Sequence, residues 1–585
     1  MENLSLDLKK LPFSRGKSSY YLFEEDNADG TAYTPGIYFG MSNPTGAARR
    51  EGLIRIVPVK DGEPLDYTYE CTQSKLVIIT ASGTLTIVMD TTNSFRIYGA
   101  DIGVMIHKEM PVMSMETVRE VRAGVAEFNL FSPAGGGGRF VFSRVSGIVN
   151  VETHSMLTAD GINKCTIWLL PSENEQFETL VTPYLPQENE VKSLPLDEVI
   201  AEVEGEFSGF CDKFAQVPSE WETLKQLCAY MCWINYREGN PDDMVPVMLS
   251  DMFCASRLSD MQCYSWHQPF YGLALSDSEA SLATITNVFP NIKNGMLPVT
   301  VTSSRLRYGT FPLYNGYALI KTLDSSGNNV LSDEIAADLY EKMKANYEWW
   351  KDSHSFGEGR ISYNSPPESG YTGSSYAVLE YPLEAPDLYA RMIVYTELIG
   401  RVERIAGRGN GLTWYTESQA LKKTLIDELW DGERFVCRGA ISGIKYKSNS
   451  LFAYVPIILG KRLPNDIIDK LSAAISDKGV FLSERGILSE SISSEYYDAA
   501  IPGSGTVETL LQYLIVSGLV DAGKRQTAAD IAKRVLQWTN ENAAVISIPP
   551  NGELKTNARP ADVYQAVAAA AIIALAANLK FATGI

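Results

Sequence analysis

The sequence predicts a multidomain β and α protein in which an N-terminal β-sandwich precedes a barrel of paired helices. Residues 1 to about 185 contain many short β-branched and aromatic runs, separated by Gly, Asn, Asp and Ser clusters. From residue 218 onward, apolar residues recur at i, i+3 and i+4, the spacing of helices that bury one face. At 585 residues the chain also exceeds a single compact core, so more than one domain is expected.

The predicted sandwich covers residues 1–185. Its clearest strand patterns lie at 75–81, 84–89, 139–143 and 164–170, with turn-forming residues between them. Residues 186–217 are predicted to be a helical linker, because a helix-like apolar pattern follows a proline there.

The predicted helical domain spans residues 218–585. Gly- and Pro-rich loops separate its periodic segments, and no nucleotide-binding glycine motif interrupts them. Helices in this number fit a barrel of helix pairs whose loops at one end build the active site. Besides the segment that begins at Pro218, the predicted helices cover residues 277–290, 333–350, 386–406, 417–430, 464–476, 505–520, 525–540 and 560–580.

Charge and composition narrow the function classes. The formal charge of −20 disfavours nucleic acid and anionic membranes as partners. The motifs described below favour a small molecule or a carbohydrate as the ligand. We find no secretory signal and no run of transmembrane length, so a cytoplasmic location is expected. The eight Cys form no CxxC pair and the four His are far apart, so we expect neither a metal nor another cofactor. Oligomeric state is left open.

Several short motifs resemble those of one enzyme family. Residues 367–374 read Pro-Glu-Ser-Gly-Tyr-Thr-Gly-Ser, which is similar to the Glu-Ser-Gly-aromatic-Asp-Asn-Ser segment of the six-hairpin glycosidases. That superfamily includes mannosylglycerate hydrolase and trehalase-like enzymes and is built on an (α/α)6 barrel. The resemblance implies that fold and a glycoside hydrolase ancestry. The other motifs follow in the family's order, at residues 11–20, 265–270, 294–298, 311–319 and 486–490.

The resemblance also implies that the family's catalytic groups are replaced. Thr372 stands where the family has its general acid, and Val545 falls where it has its general base. An inverting glycosidase needs two carboxylates that flank the scissile bond. The Asp that grips the sugar falls at His267, and the Trp and Arg wall of the sugar subsite falls on residues 502–508. We therefore expect a wider, less polar cavity that suits a larger or flatter molecule than a pyranose.

Three side chains are candidate proton-transfer groups. Glu508 lies in the segment that lines the family's site, where burial would raise its pKa; the alternative is an exposed first-turn Glu. His267 follows a Trp, and His is the side-chain type best able to exchange protons near neutral pH, although a lone His is often structural. Glu368 is a possible replacement acid, or it holds loop N–H groups. The candidate substrate-binding residues are Trp266, Gln268, Tyr314, Tyr371, Thr372, Tyr497, Asp498 and Tyr564.

Three functions remain open at this stage. The first is non-hydrolytic acid–base chemistry on a small molecule, such as a cyclisation, an isomerisation or an elimination. The second is inverting exo-glycoside hydrolysis with relocated carboxylates. The third is sugar binding without catalysis. Since one fold hosts unrelated chemistries, the site has to decide among them.

Overall fold

The computed structural model describes the chain in segments, and the statements below concern those segments. They are residues 3–18, 20–25, 34–41, 54–108, 117–132, 136–154, 164–172, 174–187, 194–237, 248–249, 263–301, 306–357, 360–370, 372–542, 544–552 and 565–583.

The N-terminal part forms two antiparallel sheets. One has the strand order β1-β2-β3-β9-β14-β13, with β4 paired to β3, and the other has the order β10-β11-β12-β15-β8-β7-β6-β5. The strands are β1 Tyr20–Glu25, β2 Gly36–Met41, β3 Ile54–Lys60, β4 Glu63–Pro64, β5 Tyr67–Cys71, β6 Lys75–Thr80, β7 Thr84–Thr91, β8 Ser94–Ala100, β9 Gly103–Lys108, β10 Thr117–Arg122, β11 Val125–Ser132, β12 Gly136–Ser146, β13 Ile148–His154, β14 Lys164–Leu170 and β15 Gln176–Thr182.

Aromatic side chains join the two sheets into a sandwich. Phe39 of β2 packs at 5.3 Å from Phe95 of β8 and at 5.8 Å from Phe140 of β12, measured between ring centroids. All three rings are almost completely buried. Burial of such large apolar rings between the sheets is the main stabilising contribution to this part of the protein.

The C-terminal part contains paired helices. They are α1 Leu196–Cys211, α2 Glu222–Asn235, α3 Gln268–Ala274, α4 Ser278–Thr286, α5 Tyr314–Ser326, α6 Asp333–Ser353, α7 Pro386–Ile405, α8 Leu412–Leu429, the 3₁₀ segment Leu451–Arg462, α9 Asn465–Ile475, α10 Thr509–Asp521, α11 Arg525–Glu541 and α12 Ala566–Thr583. Small sheets of two or three strands lie in the loops: β16 Tyr236–Arg237, β17 Met248–Leu249, β18 Cys263–Tyr264, β19 Pro298–Val301, β20 Leu306–Tyr308, β21 Leu383–Glu384, β22 Cys437–Gly439, β23 Lys445–Tyr446, β24 Leu482–Ser483, β25 Gly486–Ile487, β26 Val507–Glu508 and β27 Ser547–Ile548.

Six of these elements close an inner ring. In order around the ring they are α3, α5, α7, the 3₁₀ segment, α10 and α12, and α12 contacts α3 again. The inner helices are buried around most of their circumference, whereas α8 buries one face through Trp414, Ser418, Leu421 and Leu425. The predicted fold class, a β-sandwich followed by an (α/α)6 barrel, is therefore confirmed.

Loop lengths set the direction of the inner helices. An inner helix and the outer helix that follows it are joined by short connections, at residues 275–277, 327–332, 406–411, 463–464 and 522–524. The return to the next inner helix takes a long connection, at residues 287–313, 354–385, 430–450, 476–508 and 542–565. Hence the described parts of the long loops meet at the end of the barrel where the inner helices begin.

The motif at residues 11–20 joins the sandwich to the helices. Arg15 is buried, and its guanidinium donates to Glu202 and Glu206 of α1 at 2.8 Å each and to the Met89 carbonyl of β7 at 3.1 Å. Next to it, the Tyr230 hydroxyl of α2 donates to the carbonyl of Pro12 at 3.0 Å. The segment is thus bonded to both parts of the molecule.

The predicted boundaries at residues 185 and 217 stay predictions, and α1 lies inside the predicted linker. Among the helices that the structure describes, none is both long enough and apolar enough to cross a bilayer.

Replacement of Arg15 tests the joining role of the N-terminal motif. Arg15→Ala leaves the buried Met89 carbonyl without its donor and removes two ion pairs, so it should lower the free energy of unfolding by about 2–4 kcal/mol. Urea unfolding followed by tryptophan fluorescence measures the change. Lys10→Ala is the control, because the Lys10–Asp7 pair is exposed and worth less than about 1 kcal/mol. Equal losses in the two variants would contradict the joining role.

Candidate active site at the loop end of the barrel

Polar side chains lie at the starts of four inner helices, at the same end of the barrel. His267 directly precedes α3, Tyr314 is the first residue of α5, Asp387 is the second residue of α7, and Glu508 directly precedes α10. All four are buried. Because the inner helices begin at the same end of the ring, the fold brings these groups under the long loops.

A line of ring contacts runs across this end of the barrel. The His267 and Trp266 ring centroids lie 3.9 Å apart, and Trp266 lies 6.4 Å from Tyr314. Phe311 stacks on Trp266 at a centroid distance of 5.9 Å. Gln268 is fully buried and donates to the Tyr264 carbonyl at 3.1 Å. The structure therefore gathers four of the predicted site residues, Trp266, His267, Gln268 and Tyr314.

A buried ion pair that the sequence analysis did not single out lies beside Tyr314. Arg391 Nη1 is 3.1 Å from Asp387 Oδ2, one turn earlier on α7. The Tyr363 hydroxyl donates to the same carboxylate oxygen at 2.8 Å and accepts from Arg391 Nη1 at 2.8 Å. The Arg391 Cζ atom lies 4.9 Å from the Tyr314 ring centroid. Burial raises the pKa of Asp387, while Arg391 and Tyr363 oppose that shift.

Glu508 is completely buried and is not the exposed first-turn residue that was one alternative. Its Oε1 accepts hydrogen bonds from the Gly503 N–H at 3.0 Å and the Thr506 hydroxyl at 2.5 Å, and Ser547 donates to Oε2 at 2.8 Å. Burial raises the pKa of Glu508, and these donors oppose the shift. Burial also raises the pKa of Tyr314; the Arg391 charge opposes that rise, and the charges of Asp387 and Glu508 add to it.

A second buried carboxylate, Glu490, lies beneath the loop of the glycosidase-like motif. It accepts from the Ser375 N–H at 3.2 Å and from the Ser494 hydroxyl at 2.7 Å, and burial raises its pKa. Glu490 is the last residue of the motif at residues 486–490, and the sequence alone predicted no role for it. A Glu after Ile, Leu and Ser in a segment that resembles a site motif was the available signal.

Glu368 has local partners. Its Oε2 accepts from the Asn364 N–H at 2.7 Å and lies 3.3 Å from His354 Nε2. This geometry matches the alternative in which Glu368 holds loop backbone. The His354 ring packs between Trp349 and Trp350, at 5.1 and 4.5 Å.

The loop that carries Thr372 is attached to the loop that precedes Glu508. The Ser504 hydroxyl donates to the Gly373 carbonyl, while Thr372 itself is exposed. Tyr497 is half-buried against Gly505, whose φ of 155° and contact with this ring leave no room for a side chain. Asp498 is exposed and accepts from the Ala500 N–H at 2.8 Å, as turn residues do.

Two predicted binding residues, Tyr371 and Tyr564, lie outside the described residues. Val545, at the predicted position of the lost base, is buried, and its carbonyl accepts from the Thr509 hydroxyl at 2.5 Å. Within the described segments, no cluster of three His, Cys, Asp or Glu side chains could hold a metal ion.

Comparisons with known proteins agree with this architecture. Residues 261–547, just under half of the chain, match the family model of the mannosylglycerate hydrolase MGH1-like glycoside hydrolase domain. The match confirms the predicted resemblance to the six-hairpin glycosidase superfamily. A search of curated proteins finds no match.

Solved structures show likeness of fold. A structure titled sialidase aligns with a TM-score of 0.51 at 8% identity, over 94% of this chain and 65% of that one. The GH63 mannosylglycerate hydrolase from Thermus thermophilus aligns with a TM-score of 0.48 at 13% identity in its complex with Tris and D-glycerate, over 60% of this chain and 99% of that one. Its glucose complex gives a TM-score of 0.44 at 14% identity, over 54% and 92%.

The raised pKa of Glu508 gives a prediction about stability. The folded protein keeps the Glu508 proton up to a higher pH than the unfolded chain, in which the pKa is near the ordinary value of 4.5. The carboxyl therefore stabilises the folded state fully below pH 4.5, and this contribution is lost as the pH rises through the folded-state pKa. The melting temperature of Glu508→Gln relative to the wild type should therefore increase with pH from about 4.5 upward. Melting curves across that range test this. Glu541→Gln, at an exposed carboxylate on α11, is the control and should leave the pH profile of the melting temperature unchanged. A melting-temperature difference between Glu508→Gln and the wild type that does not vary with pH would contradict the raised pKa.

Proposed function

We propose that the barrel carries out non-hydrolytic acid–base chemistry on a small molecule, a cyclisation, an isomerisation or an elimination. The observation that carries the proposal is the Glu508 carboxyl, which is fully buried and has no cationic partner among the described residues. A carboxyl with a raised pKa at the start of an inner helix is suited to proton transfer near neutral pH.

Glu508 can serve as both base and acid in such a reaction. Its carboxylate would remove a proton from a carbon next to a carbonyl. The electron pair of that C–H bond would form a C=C bond, and the π electrons of the C=O bond would move to the oxygen, which becomes an enolate. The carboxyl would then exchange its proton with solvent and give a proton to a different atom of the same substrate, so that no reactant other than water is needed. The Glu508 Oε2 atom accepts a hydrogen bond from Ser547 alone among the described residues, which leaves it a lone pair for that proton.

The surroundings of Thr372 and Val545 support a departure from ordinary glycoside hydrolysis. Thr372 offers an exposed hydroxyl, which cannot protonate a leaving oxygen as a tuned carboxylic acid does. Val545 is apolar and buried, so it cannot activate water. The inverting mechanism needs a carboxylate at both positions.

A second candidate function is inverting glycoside hydrolysis with relocated carboxylates. Glu490 and Glu508 favour it, because both are buried with raised pKa values on neighbouring loop segments. The Ser489 N–H donates to the Thr506 carbonyl at 2.8 Å, which joins those two segments. In this case one carboxyl would act as the acid and the other as the base. Sugar binding without catalysis is the third candidate, and it is an outcome of the test below.

We also propose a cytoplasmic location. Cys71, Cys211, Cys228, Cys232 and Cys437 are buried free thiols, as is usual for proteins of a reducing compartment.

Isotope incorporation separates the candidate functions without knowledge of the substrate. The purified protein is incubated with a mixture of cellular small molecules, once in deuterium oxide and once in heavy-oxygen water, and the products are analysed by mass spectrometry. Acid–base chemistry at carbon should place deuterium on a product, whereas hydrolysis should place heavy oxygen on it. Glu508→Gln should lower deuterium incorporation by about 10²- to 10⁴-fold.

Each outcome decides between the candidates. Heavy-oxygen incorporation, lost in both Glu490→Gln and Glu508→Gln, would favour hydrolysis over our proposal. No incorporation of either isotope by the wild type would favour the binding protein. Thr372→Ser is the matched control, since it keeps the hydroxyl at the position of the lost acid and should turn over like the wild type.

Nitrophenyl glucosides and mannosides give a separate test of hydrolysis. The wild type should show no turnover above background, and Thr372→Asp with Val545→Glu should restore little, because correct orientation of the sugar is worth many orders of magnitude in rate. Nitrophenol release measures both. Robust turnover by the wild type would contradict the loss of the hydrolytic mechanism.

A further inference from the structure

Hydrogen-bond donors without acceptors are gathered beside the Asp387–Arg391 pair. Arg391 is 2% exposed, and its Nη1 is engaged with Asp387 and Tyr363. Its Nε and Nη2 atoms, and the hydroxyl of the 2% exposed Tyr314, have no hydrogen-bond partner among the residues that the structure describes. These three atoms belong to two side chains in direct contact.

Such a cluster is unusual in a folded protein. Most buried polar atoms are hydrogen-bonded, because an unmet donor costs the free energy of its lost hydration. Arg391 cannot relieve the cost by losing its proton, since a guanidinium stays charged in proteins. The unpaired donors of these two side chains therefore indicate a ligand that supplies hydrogen-bond acceptors.

The geometry of the donors indicates the kind of group that fits. The Nε and Nη2 atoms of an arginine form one flat edge whose two N–H groups are parallel, and this edge matches two oxygens in one plane. Arg391 has no acceptor atom, and the Tyr314 hydroxyl can add a third donor. Asp387 Oδ1 is an acceptor that also lacks a partner of hydrogen-bond geometry among the described residues, but the backbone N–H groups of Asp387 and Leu388 stabilise its charge. For the three donors, a group made of acceptors alone fits better than a pyranose hydroxyl, which must also donate.

The helix starts support a negative group at the same place. Tyr314 begins α5 and Asp387 lies in the first turn of α7, and the N-terminal ends of both helices carry partial positive charge. Asp387 balances the charge of Arg391 through Nη1, on the other side of the guanidinium from the free edge.

We propose that Arg391 and Tyr314 bind a planar oxyanion of the substrate, a carboxylate or the enolate oxygen of a carbonyl compound. The inference rests on the proposed small-molecule site and names the substrate class for it. In the acid–base reaction, the carbonyl oxygen that becomes the enolate oxygen when the C–H bond breaks would lie against the Arg391 edge and the Tyr314 hydroxyl. Both are specificity-determining groups that prefer a flat carbonyl or carboxylate compound to a sugar.

Tyr314→Phe and Tyr363→Phe form a matched pair of variants. The Tyr363 hydroxyl bonds both Asp387 and Arg391, so Tyr363→Phe should lower the melting temperature. The Tyr314 hydroxyl has no partner among the described residues, so Tyr314→Phe should leave the melting temperature unchanged or raise it by about 1–2 °C. A structural role for the Tyr314 hydroxyl would instead lower it, as in Tyr363→Phe, and would overturn the proposal.

Benzoate and acetate are the binding probes, with chloride at equal ionic strength as the reference. Benzoate should raise the melting temperature of the wild type and give a saturable heat by calorimetry. Tyr314→Phe should weaken that binding about tenfold, which is the effect of one hydrogen bond to a charged group. The double variant Asp387→Leu with Arg391→Met removes the pair without leaving a buried unpaired charge, and it should lose the effect.

The remaining outcomes separate this proposal from the proposed function. Glu508→Gln should bind benzoate as well as the wild type, because it changes neither Arg391 nor Tyr314, even if its turnover is lost. Binding of inorganic phosphate in preference to both carboxylates would overturn the planar geometry. Equal responses of the wild type to benzoate, acetate and chloride, or an equal benzoate response in the double variant, would show that only water occupies the site. If the double variant does not fold, Tyr314→Phe alone decides.

Discussion

Closure of the inner ring by α12 is the contact on which the barrel depends. This helix packs against α10 and α11, which directly precede it in the chain, and also against α2 and α3 near the start of the helical part. Its first half is rich in alanine, and Ala566 to Ala576 are buried. Small side chains allow the neighbouring helices to approach closely, and larger ones would overpack the centre. Only with the ring closed do the starts of α5, α7 and α10 surround one space.

The barrel separates two kinds of buried carboxylate. Glu384 is paired with Arg438 and Asp387 with Arg391, so a guanidinium compensates each of these charges. Glu490 and Glu508 are instead held by hydroxyl and backbone N–H donors, which stabilise a charge less than a guanidinium does. Both lie on the loops that precede an inner helix, where a ligand in the barrel would meet them.

The sequence predicted the fold class and many of the helices, but it did not predict α3, α5 or the 3₁₀ segment of the inner ring, and the site stays a prediction. The patterns at residues 333–350 and 386–406 became α6 and α7 with nearly the predicted bounds, because strong apolar periodicity is a local property. The pair Asp387 and Arg391 was missed because opposite charges four residues apart usually lie on an exposed helix face. Their burial follows from the ring, which no local pattern encodes. The roles of His267, Glu368 and Glu508 stay predictions, since their positions alone do not assign a reaction.

The place of α12 in the chain has a consequence for how the protein is made. Synthesis proceeds from the N-terminus, so the other five inner elements leave the ribosome before the helix that lies between α10 and α3. Until then, the ring is open along one side, and apolar faces such as those of α3 and α10 have no neighbour to cover them. The nascent chain therefore exposes apolar surface until α12 is synthesised, and exposed surface of this kind favours aggregation or chaperone binding.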